Sequence, residues 1–219
     1  MKTPHYNVVI ATPGLVMQAQ YVQSLMKTTA WLCEKGMTYT YLNKTSSFVP
    51  SAREKTATDS SANDWDATEI ADGRFTYDWI VWIDSDIVWE PEVLERLMSH
   101  NLDVVSAIVP INAGGALSIM KLDAEGHPNQ MTWKDFIMED APVEVDGVGF
   151  GMVAVRYGVF EGTSRPWFHI RKARIPAVPF TVNYGEDYSA CLNMKDSGFK
   201  IWVDPFARVE HIKQVNLTV

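Results

Sequence analysis

Trp79-Ile80-Val81-Trp82-Ile83 is an unbroken apolar run that stops at Asp84-Ser85-Asp86. A short run without polar alternation reads as a strand covered on both faces, as in a parallel sheet between helices. Ligands of open α/β sheets sit outside the carboxyl ends of the strands, so the two acids fall where a site is expected. Ile87 to Leu94 follows, and Pro91 suits the first turn of a new helix. An Asp-x-Asp at a strand end presents carboxylate oxygens to a hard divalent cation, which can neutralise a diphosphate. Such acids also cap turns and helices. Taken alone, the motif leaves both roles open.

The 219 residues fit one domain, and a chain 47% hydrophobic and 21% charged can bury a sizeable core. A formal charge of -8 argues against a broad, nonspecific nucleic-acid footprint, while leaving room for a local basic groove. No apolar run approaches a membrane span, and Met1 to Asn7 lacks the long apolar segment of a secretory signal. Cys33 and Cys191 offer neither a disulfide framework nor zinc spacing. A cytoplasmic protein without a membrane span is the expectation.

Asn7 to Ala11 reads as a first strand, closed by Thr12-Pro13-Gly14, whose turn chemistry lets the backbone approach a flat ligand. Neither a Gly-x-Gly-x-x-Gly nor a Walker sequence is present, which weakens the usual dinucleotide and P-loop readings. Val22, Leu25, Met26, Thr29 and Leu32 recur at helical spacing before Gly36, and Met37 to Leu42 alternates as a strand. Ser51 to Glu54 offers a capping box, with Arg53 either exposed or a phosphate or base contact. Asp103 to Pro110 predicts another buried strand, and Ile111 to Trp133 a hairpin or flap turning at Asp123 to Gly126. In Val145-Asp146-Gly147-Val148-Gly149-Phe150-Gly151, alternate glycines clear one side of an extended segment for a ligand or another backbone. Asp146 there either orients a sugar hydroxyl or holds the turn. Tyr188, Cys191, Leu192 and Lys195 share a helical face, which puts Glu186 and Asp187 at a helix N-terminus where negative charge is favoured.

These pieces come in a telling order: Asp84-Ser85-Asp86 after a strand, Asp146-Gly147 before another, Gly185-Glu186-Asp187 opening a helix, then Trp202 to Pro205 and His211. The series resembles the small metal-dependent glycosyltransferases of the GT-A fold, in the broad group of family 2-like enzymes. It runs from Asn7 to Lys213 and is weak over Ser46 to Arg74 and Ile111 to Ala141. The resemblance implies an α/β, Rossmann-like, mostly parallel sheet flanked by helices in a single domain. Its nucleotide-binding half would be residues 1 to about 110, and its acceptor and catalytic half about 111 to 219.

The resemblance further implies that Asp86 and His211 ligate Mn²⁺ or Mg²⁺, with Asp84 close to the ribose or the metal-bound water. Thr12 and Pro13 would flank the base of a nucleotide-sugar donor, a UDP-sugar foremost. Arg53, Ser85, Asp146, Gly147 and Lys213 would complete the donor site. Asp187 matches the general base of inverting members, with Glu186 touching the acceptor or bracing Asp187. The acceptor would be a glycan, small molecule, protein or modified DNA base, held by the flap and by Pro166-Trp167-Phe168. Two rival classes are a nucleotidyltransferase, which lacks its usual glycine-rich basic loop here, and a noncatalytic nucleotide- or carbohydrate-binding module.

Overall fold

A computed structural model describes residues 3–61, 66–174 and 181–213 of the chain. In order, the elements are β1 (His5–Ala11), α1 (Ala19–Glu34), β2 (Tyr39–Leu42), α2 (Val49–Thr58), β3 (Thr76–Ile83), β4 (Ile87–Val88), α3 (Pro91–Ser99) and β5 (Val104–Ile108). Then come β6 (Ala116–Leu122), β7 (Pro128–Thr132), β8 (Val143–Val145), β9 (Gly147–Val148), β10 (Met152–Arg156), β11 (Arg171–Arg174), β12 (Thr181–Tyr184), α4 (Glu186–Asp196), β13 (Ile201–Arg208) and β14 (Glu210–His211).

The main sheet has seven strands in the order β2-β1-β3-β10-β5-β13-β8. Only β10 and β8 run against the other five. The expected α/β architecture is therefore present, with β10 inserted antiparallel at the centre. Residues alternate between two buried faces along each central strand, which is why the apolar runs are continuous. Val8, Ile10, Val81 and Ile83 pack under α1 and α3 with Tyr21, Leu32, Leu94 and Leu97. Val9, Ala11, Ile80 and Trp82 face the other way, against Phe150, Phe160, Phe168 and the α4 residues Ala190, Cys191 and Met194.

Two local expectations are corrected. Helix α2 begins at Val49 with Pro50 in its first turn, so Ser51 lies inside it and no capping box forms. Glu54 is instead buried at 2% exposure, where its carboxylate accepts from Arg165 Nη2 and from the Phe168 N–H, each at 2.6 Å. Trp167 and Phe168 are 0% and 1% exposed and belong to the core, so they offer no surface to an acceptor. The flap does form as the β6–β7 hairpin, which joins β9 in a three-stranded sheet. Cys33 and Cys191 are both free thiols.

Candidate active site at the carboxyl ends of β1 and β3

A cavity of about 480 Å³ opens beyond the ends of β1 and β3. Pro13 and Gly14 follow β1, Val49, Ala52 and Arg53 come from α2, Asp84, Ser85 and Asp86 follow β3, and His211 and Lys213 close the far side. The sequence separates His211 from Asp86 by 125 residues. They meet because β14 pairs antiparallel with β4, His211 opposite Ile87, and the Ile212 N–H donates to the Asp86 carbonyl at 2.9 Å.

The imidazole of His211 is set for coordination. Its Nδ1 is 2.8 Å from the Pro110 carbonyl, which can only accept, so Nδ1 carries the proton. In the neutral ring this leaves the Nε2 lone pair facing Asp86 Oδ2 at 3.1 Å, while the Lys213 ammonium donates to the same nitrogen at 2.7 Å. A lone pair beside a carboxylate oxygen favours a cation between or next to them. One imidazole nitrogen and one carboxylate oxygen suit Mn²⁺ or Mg²⁺ with the remaining positions open to water or phosphate. Those two residues fit a metal.

Asp84 stands differently. Arg53 Nη2 donates to both of its oxygens, at 3.0 and 3.3 Å, and Arg53 Nε donates to Glu186 Oε1 at 3.2 Å. The guanidinium is only 4% exposed and lies over the Phe150 and Phe168 rings. It thereby ties the end of β3 to the start of α4. Burial pushes the Asp84 carboxyl up, Arg53 pulls it down, and Asp86 pushes it up again, with a net upward shift. Its oxygens serve Arg53 before they could serve a metal, and Asp84, Asp86 and His211 do not form a three-ligand cluster. Arg53 Nη1 is buried without a hydrogen-bond partner among the described residues.

Asp187 sits one residue into α4, its Oδ1 accepting from the Tyr188 N–H at 2.8 Å. Burial drives its pKa up to about 6, Arg53 opposes the rise, and Glu186 and Asp84 add to it. A carboxylate that stays basic near neutrality suits proton abstraction. The alternate glycines explain how it fits. A Cβ on Gly149 would collide with the Ser118 hydroxyl and come within 3.3 Å of Asp187 Oδ2, and one on Gly147 would meet the Tyr188 ring at 2.9 Å. The approach these glycines permit is by the protein's own side chains. Ser118 and Tyr188, which sequence reasoning assigned to flap and helix face, thus pack around Asp187. The glycine spacing was the available signal.

Three expected donor contacts do not line the cavity. Thr12 is fully buried and its hydroxyl is bonded to that of Tyr21, so only Pro13 of that pair reaches the space. Asp146 is bonded to Lys195 and accepts the Leu122 N–H at 2.7 Å, which holds the turn, and it does not line the cavity. Gly147 is likewise walled off by Tyr188. Among the described residues, the one group of three acids and histidines close enough for an ion is Asp123, Glu125 and His127 at the flap tip. There Asp123 accepts the Glu125 and His127 N–H groups and shapes the turn.

No protein-family model matches the chain, and no curated protein matches it. Solved structures do. The catalytic domain of Drosophila β1,4-galactosyltransferase 7, solved with xylobiose, superposes with a TM-score of 0.50 at 14% identity, over 95% of this chain and 71% of that one. The fold is GT-A-like. A197 from STIV matches end to end, with a TM-score of 0.51 and 15% identity over 97% of each chain. No helix among the described residues is long and apolar enough to cross a membrane.

Proposed function

We propose that this chain is a metal-dependent glycosyltransferase that moves a sugar from a nucleoside-diphosphate sugar, a UDP-sugar foremost, to an acceptor hydroxyl. The observation that carries the reading is the pairing of Asp86 with an Nε2-presenting His211 in the cavity wall, together with an acid held basic by burial at the start of α4, which Arg53 ties to the end of β3. The residues before about 110 supply most of the donor pocket, with His211 and Lys213 returning to it from the far end.

A bound Mn²⁺ or Mg²⁺ would be held by Asp86 and His211 and would offset charge on the leaving diphosphate. Pro13 and Gly14 give the base a flat, side-chain-poor edge. Lys213 and the free Nη1 of Arg53 offer donors to diphosphate or sugar oxygens. Asp187 takes the proton of the acceptor hydroxyl as that oxygen bonds to the anomeric carbon. The bond from that carbon to the phosphate oxygen breaks, and the electron pair leaves with the nucleoside diphosphate. Attack opposite the leaving group inverts the anomeric centre.

Incubation with a panel of labelled nucleotide sugars, with and without Mn²⁺, tests the reading. Metal-dependent release of nucleoside diphosphate is expected. Release of pyrophosphate from nucleoside triphosphate and sugar phosphate would make the chain a nucleotidyltransferase. Tight binding without turnover on any acceptor would make it a binding module.

A further inference from the structure

The start of α4 separates two cavities. Glu186 faces the donor side through Arg53, whereas Gly185 lines a second cavity of about 300 Å³ with Met120, Gln130, Asn183, Tyr184 and Tyr188. Asp187 follows Gly185 by two residues, and a Cβ on Gly185 would lie 3.1 Å from its Oδ1. The floor is apolar. Met120 and Tyr184 are buried in a small cluster of their own with Leu192, and Tyr188 packs against them. The rim is amide, with Gln130 and Asn183 both exposed.

We infer that this second cavity is the acceptor site and that it takes an uncharged saccharide. The acceptor role rests on the transferase reading; the saccharide chemistry rests on the lining. Tyrosine rings and a thioether cover the C–H faces of a pyranose, while amides both donate to and accept from ring hydroxyls. Among the described residues no cationic side chain is part of the lining, so an anionic acceptor finds no counter-charge within it. Of the basic residues of β11, Arg171 is bonded to Asp196 at 2.6 Å, and Lys172 stands opposite Asn183 outside the lining itself. The Asp187 carboxylate nearby disfavours phosphates further. A sugar seated against Gly185 brings a hydroxyl toward Asp187, two residues on.

Saturation-transfer NMR with cellobiose, lactose and xylobiose as probes, in the presence of UDP and Mg²⁺, tests the assignment. Transfer to the ring protons of at least one disaccharide is expected. Asn183→Ala and Gln130→Ala, exposed positions that spare the fold, should each weaken it about fivefold or more while UDP–Mg²⁺ affinity stays unchanged. The inference falls if UDP–Mg²⁺ binds and no disaccharide does, or if disaccharide binding ignores both variants. It also falls if thymidine or a short oligonucleotide occupies the site in preference, with the same sensitivity. Disaccharide binding that responds to both variants, without any UDP–Mg²⁺ binding, would keep the saccharide site and remove the transferase reading.

Discussion

Asp187 keeps an ionisable carboxylate where most water has been removed, and the charged form is disfavoured there. Its folded pKa of about 6 lies above the ordinary 3.8, so the folded chain holds this proton more tightly than the unfolded chain. The associated stability is full below about pH 4 and is lost as pH rises through about 6. Asp187→Asn should therefore stabilise the protein at pH 7, by at most about 3 kcal/mol, and leave it unchanged near pH 3. Urea unfolding at the two pH values reads this directly. Transfer should fall about a hundredfold or more in the same variant at saturating donor. A variant that transfers at the wild-type rate would remove Asp187 from the chemistry. The sequence placed this acid at a helix N-terminus, where negative charge is welcome. It could not reveal that Ser118, Gly149 and Tyr188 would close over it and reverse the sign of its effect on stability.

Element by element, what was legible is what local pattern controls. The run into Asp84, the proline at the start of α3 and the glycine after α4 all specify their structures through neighbours a few residues away. Where a partner lies far along the chain the pattern was insufficient: Glu54 was read with Ser51 and is bonded to Arg165 and Phe168, and Asp146, read as either a sugar contact or a turn holder, is bonded to Lys195 and Leu122. Trp167 and Phe168, read as an exposed patch, fill the core beside Trp82. Two predictions belong at this scale. Glu54→Gln keeps the volume but removes the buried charge that accepts from Arg165 Nη2 and the Phe168 N–H, and should cost about 3–5 kcal/mol in urea unfolding. A loss under about 1 kcal/mol would show that α2 does not depend on the pair. Gly149→Ala forces the new methyl into the Ser118 hydroxyl and the Asp187 carboxylate. It should cost about 1–3 kcal/mol of stability, and turnover should fall further than the residual folded fraction explains. Equal stability and turnover in Gly149→Ala would mean that β6 moves aside freely.

At the scale of the whole molecule, the sheet class was readable from continuous apolar runs, but the order of its strands was not. Nothing in Met152 to Arg156 says that it runs antiparallel between β3 and β5, because that pairing joins segments some 70 and 50 residues apart. The same holds for β14 against β4, and that pairing brings His211 to Asp86. If a cation and a diphosphate share Asp86 and His211, each completes the other's binding, and both bind only the folded chain. UDP and Mn²⁺ together should then raise the melting temperature well beyond the sum of their separate effects. At a hundredfold excess over Kd the stabilisation is about 2.7 kcal/mol, which for a domain of this size is on the order of 5–10 °C. Chelation with EDTA should return the midpoint to that of UDP alone. His211→Ala should abolish the joint increment and leave the ligand-free midpoint within about 2–4 °C of wild type, since β14 is two residues long and lies at the edge of the fold. The variant removes one ligand and the Pro110 bond without opening the core, so lost cooperativity at a near-native midpoint points to coordination. An increment that survives EDTA or persists in His211→Ala would separate the nucleotide from the metal and undo the donor site as drawn.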